Sequence, residues 1–201
     1  MPRKKTNNGE RARLMVAQEA ARIIVNQGIR DYGLAKKKAA ERLGLRGRGS
    51  LPGNAEIEQA VSEHLQLFAG DSHPDLLQTM RQAALSAMEM LSPFAPRLVG
   101  PVLNGTADAN SAVNLHVFAD SAESVAHALD QIGLNYKPYE RRLKSRRDRA
   151  ETYAAFAVHH GEASVQATVV PVDGIRQAPL RPIDGKPMKR AAEKAVRELV
   201  R

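Results

Sequence analysis

The stretch VGPVLNGTADANSAVNLHVFA, Val99 to Ala119, decides how the chain is built. Up to about residue 92, apolar residues recur three or four positions apart; here they begin to alternate. Val113, Leu115 and Val117 fall on one side of an extended segment, and Ala112, Asn114, His116 and Phe118 on the other. That period of two belongs to a β-strand. Gly100 and Gly105 punctuate the chain just before it, so the plainest reading is a glycine turn joining this strand to an earlier one over Arg97 to Val102.

Working outward toward the C-terminus, Ser121 to Ile132 reads as a helix returning across the sheet. Tyr136 to Lys144, Tyr153 to His159 and Ser164 to Val170 read as three more strands. Pro171, Pro179, Pro182 and Pro187, with two Asp-Gly turns, predict an extended strap, and a last amphipathic helix spans about 187 to 200. On the N-terminal side, Leu14, Ala17, Ala21 and Ile24 line one face of a helix over 9–27, ended by Gly28. A second helix spans 31–43. The segment LGLRGRGSLPGN, with four glycines and a proline in twelve residues, is a loop, after which Asn54 starts a third helix to about 69. Ser72 and Asp75 form a capping box for a fourth, bearing Leu77, Met80, Ala84, Met88 and Leu91. The expected architecture is α+β: a helical region over 1–92 with 1–8 disordered, a mixed sheet flanked by helices over 93–170, and a strap with a C-terminal helix over 171–201.

The composition, 43% apolar and 26% charged over 201 residues, is that of a globular chain rather than a disordered one. With no cysteine, disulfides, thiolate zinc sites, iron-sulfur clusters and cysteine nucleophiles are excluded. Four Phe, four Tyr and no Trp are too few rings for an aromatic platform that stacks a single strand. Gln18, Glu19 and Arg22 interrupt the apolar stretch from Leu14 to Val25, so neither a signal segment nor a membrane span is predicted, and the expected location is cytoplasmic. The net charge of +8 is uneven: residues 1–48 carry +9, 49–100 carry −4 and 101–201 carry +3. Such a balance favours a polyanionic partner.

The opening stretch resembles the motif of the polymerase-β-like nucleotidyltransferases in their small bacterial form. That motif is a hydrophobic residue, Gly and Ser, a spacer of nine to thirteen residues often holding a second Gly, then Asp-hydrophobic-Asp-hydrophobic on a strand. Gly100 stands at the Gly, Pro101 at the Ser, Gly105 at the second Gly, and Ala112-Val113-Asn114-Leu115 at the acidic pair. Ten residues separate Pro101 from Ala112, and the resemblance spans about 97–170. It implies a nucleotidyltransferase-like mixed sheet, with a nucleotide lying against Gly100, Gly105 and Asn114.

The chemistry is where the chain departs from the family. Nucleotidyl transfer needs one or two Mg²⁺ ions, chelated by two carboxylates at i and i+2 on a strand and a third from a later strand. Ala112 and Asn114 supply no negative charge, and the same-face residues of the later strand, Ser164, Gln166 and Thr168, are neutral. Pro101 has neither hydroxyl nor N–H for a phosphate. The resemblance therefore implies the scaffold without the activity. No cofactor and no metal are expected, Mg²⁺ being needed only if an active enzyme holds it in a nonstandard way, with Asp108 as the nearest carboxylate and His116 as a further candidate. No P-loop, GxGxxG, HExxH or GxSxG motif occurs, and the adjacent His159 and His160 point to opposite sides of a strand.

The remaining signal is the run from Tyr136 to Tyr153. Lys137, Arg141, Arg142, Lys144, Arg146, Arg147 and Arg149 face only Glu140 and Asp148 across thirteen residues. On a hairpin such a run holds phosphates through charge-assisted bonds and counterion release, or it protects a sheet edge from aggregation. The N-terminal bases Arg3, Lys4, Lys5, Lys36, Lys37, Lys38, Arg42, Arg46 and Arg48 add to it. The expectation is a noncatalytic protein binding nucleic acid, RNA before DNA, through this hairpin, with no membrane. Two alternatives stand: an active nucleotidyltransferase, and a protein-interaction or antitoxin-like module using the acidic middle and Met80, Met88 and Met90 of the fourth helix.

Overall fold

The computed structural model describes residues 3–29, 31–45, 51–68, 72–146, 149–161 and 163–200. Among them are seven α-helices and a mixed five-stranded sheet, an α+β protein in two compact units, Met1–His73 and Pro74–Arg201.

The first unit holds three helices: α1 (Arg3–Gln27), α2 (Tyr32–Arg42) and α3 (Asn54–Phe68). Its core is mostly alanine: Ala17, Ala20 and Ala21 of α1 meet Ala35, Ala39 and Ala40 of α2 and Ala60 of α3, with Val16, Ile23, Ile57 and Val61 filling the rest. Small side chains at the contact let helix axes approach closely. Asp31 caps α2, its Oδ1 accepting from the amides of Gly33 (2.7 Å) and Leu34 (3.0 Å). Ion pairs tie the helices together: Arg13 of α1 to Glu56 of α3 at 2.6 Å, and Glu19 of α1 to Arg42 of α2 at 3.0 Å, Glu19 also pairing within α1 to Arg22 at 2.9 Å. The first helix starts at Arg3, so described residues expected to be disordered lie in a helix.

The second unit begins in the first turn of α4 (Ser72–Met90), not after it. The expected boundary at residue 92 is corrected because the stripe Leu77, Met80, Ala84, Met88 and Leu91 belongs to the core of the sheet. That sheet contains β1 (Arg97–Val99), β2 (Val113–Phe118), β3 (Tyr136–Arg146), β4 (Arg149–His160) and β5 (Ala163–Val170), in the order β1-β2-β5-β4-β3. Only the β2–β5 pair is parallel. The link between β1 and β2 contains a single helical turn, α5 (Pro101–Asn104), where the sequence predicts continued strand. Gly100 and Gly105 bracket it, both at positive φ (77° and 75°), which only glycine adopts without strain.

One face of this sheet is buried under helices. Val113, Leu115 and Val117 of β2, Val165, Ala167 and Val169 of β5, and Phe156 and Val158 of β4 pack with α4, with Val125 and Leu129 of α6 (Ala122–Gln131) and with Val196 of α7 (Glu193–Val200). Beyond β5 the chain forms a 3₁₀ turn over Val172–Ile175 and then, in place of the expected extended strap, doubles back through a turn over 182–184 that lets Leu180 bridge Pro187; α7 starts six residues later than periodicity about Pro187 predicts. The tail closes the outer side of β1: Leu98 and Ala191 exchange two backbone hydrogen bonds, each 2.9 Å. At the other edge, β3 carries Pro138 and a series of charges, features that discourage further strand pairing.

Candidate functional site

The opposite face of the sheet is polar. Strand register sets its residues in rows, one running Val99, Asn114, Gln166, Ala157 and Lys137, and the next Arg97, His116, Thr168, Ala155 and Tyr139. Among these residues and their neighbours Phe118, Val170, Tyr153 and Arg141 there is no carboxylate.

Asn114 and Gln166 sit side by side on the parallel pair β2–β5. Gly100 adjoins them, since a Cβ built there lies 3.6 Å from the Asn114 Nδ2. Asn114 Nδ2 donates to the Ala112 carbonyl at 2.9 Å, which leaves its Oδ1 facing outward as an acceptor. Arg141 takes that acceptor. Its Nη1 donates to Asn114 Oδ1 at 2.8 Å and to Gln166 Oε1 at 3.5 Å, reaching from β3 past the small Ala155 and Ala157 of β4. A fixed cation thus sits against Asn114, one of the two positions set at the acidic pair, and Gln166, one of the candidates for the third. Mg²⁺ does not fit this donor set: amide oxygens bring no formal charge, and a guanidinium repels the ion.

The next row is more deeply covered. His116 is 1% exposed and Thr168 wholly buried. Arg190, from the tail, lies over them: its Nε donates to His116 Nδ1 at 3.2 Å, its Nη1 to the Gly174 carbonyl at 2.8 Å, and its Cζ stands 5.2 Å from the Phe118 ring centroid. Because Nδ1 accepts, the ring proton is on Nε2. Burial, then Arg190 and Arg141, push the His116 pKa down to about 3, so the ring is neutral at physiological pH. Burial likewise lowers the Arg190 guanidinium, with Arg97 adding to the effect. The Arg190 Nη2, Thr168 Oγ1 and Tyr139 hydroxyl are buried without a protein partner. Arg190 carries no sequence signal of a site: it follows Lys189 in the tail, 74 residues along the chain from His116.

Other expected residues are placed differently. Asp108 is exposed and folded into its own turn, its Oδ1 accepting from the Asn110 amide and the Ser111 hydroxyl, both at 2.9 Å. Among the described residues no group of three His, Asp or Glu converges. The basic run forms the β3–β4 hairpin, but strand alternation divides it. Lys137 and Arg141 lie on the polar face, whereas Arg142 and Lys144 lie on the other side. Arg149 is exposed near the hairpin tip and pairs with Glu151 at 3.1 Å. Arg147 and the Arg146 side chain lie outside the described residues. Met80 and Met88 are buried in the core and Met90 is partly buried against it, so the methionines of α4 do not form the exposed interface expected of them.

Two cavities flank the hairpin. One of about 360 Å³ opens on the polar side between Arg149, Glu151 and Tyr153 of β4 and the strap over 171–179. Another, of about 340 Å³, lies beside Arg142, Lys144 and Leu180. In the first, the Tyr153 hydroxyl donates to Glu151 Oε2 at 2.7 Å. Burial, with help from Glu151, pushes the Tyr153 pKa up to about 12. Among the described residues no helix is long and apolar enough to cross a membrane. Compared with known proteins, the chain matches no family model, no curated protein and no solved structure.

Proposed function

We propose that the chain is a noncatalytic RNA-binding protein whose sheet resembles that of a nucleotidyltransferase with its metal position neutralised. The observation that carries the first half is the Arg141 guanidinium bonded to Asn114 and Gln166. A residue that is permanently charged takes the place a metal ion needs, and it is anchored there at hydrogen-bonding distance. The second half is supported by the exposed bases Arg142, Lys144 and Arg149 on the hairpin, of which only Arg149 has an ion-pair partner among the described residues. Divided between the two faces of the hairpin, with Arg149 on the face opposite Arg142 and Lys144, they suit the irregular backbone of a single strand better than a regular duplex groove.

The test is filter binding of a single-stranded RNA over a salt series, with the triple variant Arg142→Glu, Lys144→Glu and Arg149→Glu. Each lost phosphate contact reduces the log–log salt slope by roughly one, so the variant is expected to lose two to three units of slope and at least tenfold in affinity. Unchanged binding by the variant sinks the hairpin assignment. Incorporation of labelled nucleotide that depends on Mg²⁺ or Mn²⁺ sinks the noncatalytic one.

A further inference from the structure

The cavity of about 360 Å³ beside the hairpin has a lining that a phosphate-binding role does not explain. Among the described residues its lining holds the guanidinium of Arg149 and the carboxylates of Glu151 and Asp173. Glu151 already receives Arg149 and Tyr153, whereas Asp173 has no hydrogen bond or ion pair among the described residues. An anion entering beside Asp173 meets a carboxylate that no cation of the described residues offsets. A neutral, flat ligand rich in N–H donors meets acceptors instead, and the walls suit its body: Val170, Pro171 and Pro179 are apolar and Tyr153 contributes a ring. The volume falls within the usual range for small-ligand cavities, roughly 300–1,000 Å³.

Those properties describe a nucleobase. Guanine is the base whose Watson–Crick edge presents two neighbouring donors, N1–H and the exocyclic N2 amine, to a single carboxylate. Gln177, also in the lining, offers an amide N–H for its O6. Arg149 stands at the rim, with its side chain 71% exposed, where the phosphate of the same nucleotide would lie outside the acidic interior. We propose that this cavity holds one guanine of the bound strand, with Asp173 as the group that selects it; the proposal rests on the RNA-binding reading.

The experiment measures anisotropy of labelled twelve-nucleotide RNAs: all adenine, one central guanine, or one central inosine, which lacks the N2 amine. The guanine strand is expected to bind about tenfold more tightly than the all-adenine strand, inosine to lose most of that gain, and Asp173→Asn to abolish the difference. Asp173 is exposed in a 3₁₀ turn, so this change does not threaten the core. Equal affinity for the three strands, or a guanine preference that survives Asp173→Asn, overturns the assignment. If GMP binds in an Asp173-dependent way but the strands are not distinguished, the cavity belongs to a free nucleotide and the strand-bound proposal fails. If the wild-type protein binds no strand at all, the RNA reading fails and takes this one with it.

Discussion

Replacing His116 by Asn isolates the cost of charging a buried imidazole. Asn keeps an oxygen acceptor near the place of Nδ1 for the Arg190 Nε, but it does not titrate. In the native protein the His116 pKa is about 3, against an ordinary value of about 6.5. Below pH 6.5 the unfolded chain therefore binds a proton that the folded one refuses. The stability associated with the neutral ring is complete above that pH and falls by about 1.4 kcal/mol per pH unit down to about pH 3. From pH 7 to pH 5 the loss is about 2 kcal/mol, and at pH 4 it exceeds 3 kcal/mol. At pH 7 the variant is expected to be the less stable protein by about 1–3 kcal/mol through lost packing. As the pH falls, the gap closes and then reverses. Urea unfolding of the full chain at pH 7, 6, 5 and 4 reads this through tyrosine fluorescence, since Tyr136, Tyr139 and Tyr153 lie on β3 and β4. Carboxylates titrate alike in both proteins and cancel in the difference. A wild-type-minus-variant difference that stays constant with pH refutes the burial argument.

Three more outcomes follow from backbone and charge. Gly100→Ala should cost about 2–3 kcal/mol and Gly105→Ala about 1 kcal/mol in denaturant titrations, because Gly100 has φ 77° and ψ −153°, a glycine-only region, while Gly105 is left-handed helical; equal costs contradict this. At Gly174 a Cβ would meet Val170 Cγ1 at 2.6 Å, so Gly174→Ala should destabilise the protein by about 1–3 kcal/mol. Glu19→Gln should cost about 1 kcal/mol at pH 7 and little at pH 3. Burial alone would raise that carboxyl, but Arg42 and Arg22 hold it below its usual value, and the stability it adds is lost as pH falls through that lowered value.

Local pattern foretold much of the fold. The alternation put Asn114 with His116 on one face of β2 and Ser164, Gln166 and Thr168 on one face of β5, because a strand's period admits one partition of its side chains, but it left open the register that sets Asn114 beside Gln166 and His116 beside Thr168. The same rule divides the basic run between two faces of the hairpin, a consequence hidden when the run is counted only by charge. The allegiance of α4 was not legible: an apolar helical stripe says that something covers it, not whether that is a helix or a sheet. Nor was Arg190, which reaches His116 across 74 residues of chain. Proline and glycine mark the tail as irregular without saying where it lies or that it turns back between Leu180 and Pro187. Arg141 was visible as one base among seven, and its distinct role arises only from the neutral amides opposite.

The closure of β1 by Ala191 bears on synthesis. A three-residue strand gains its outer partner from Ala191, far later in the chain, and β2 waits for β5 to supply its parallel neighbour. The sheet is thus dominated by contacts between residues distant along the chain, a topology that folds slowly. At roughly 5–20 residues per second, a ribosome holds the emerging β1–β2 pair for several seconds with an edge unsealed. Chains halted before Ala191 emerges are expected to aggregate more than chains that carry it, which makes the segment around Ala191 the one that seals the sheet.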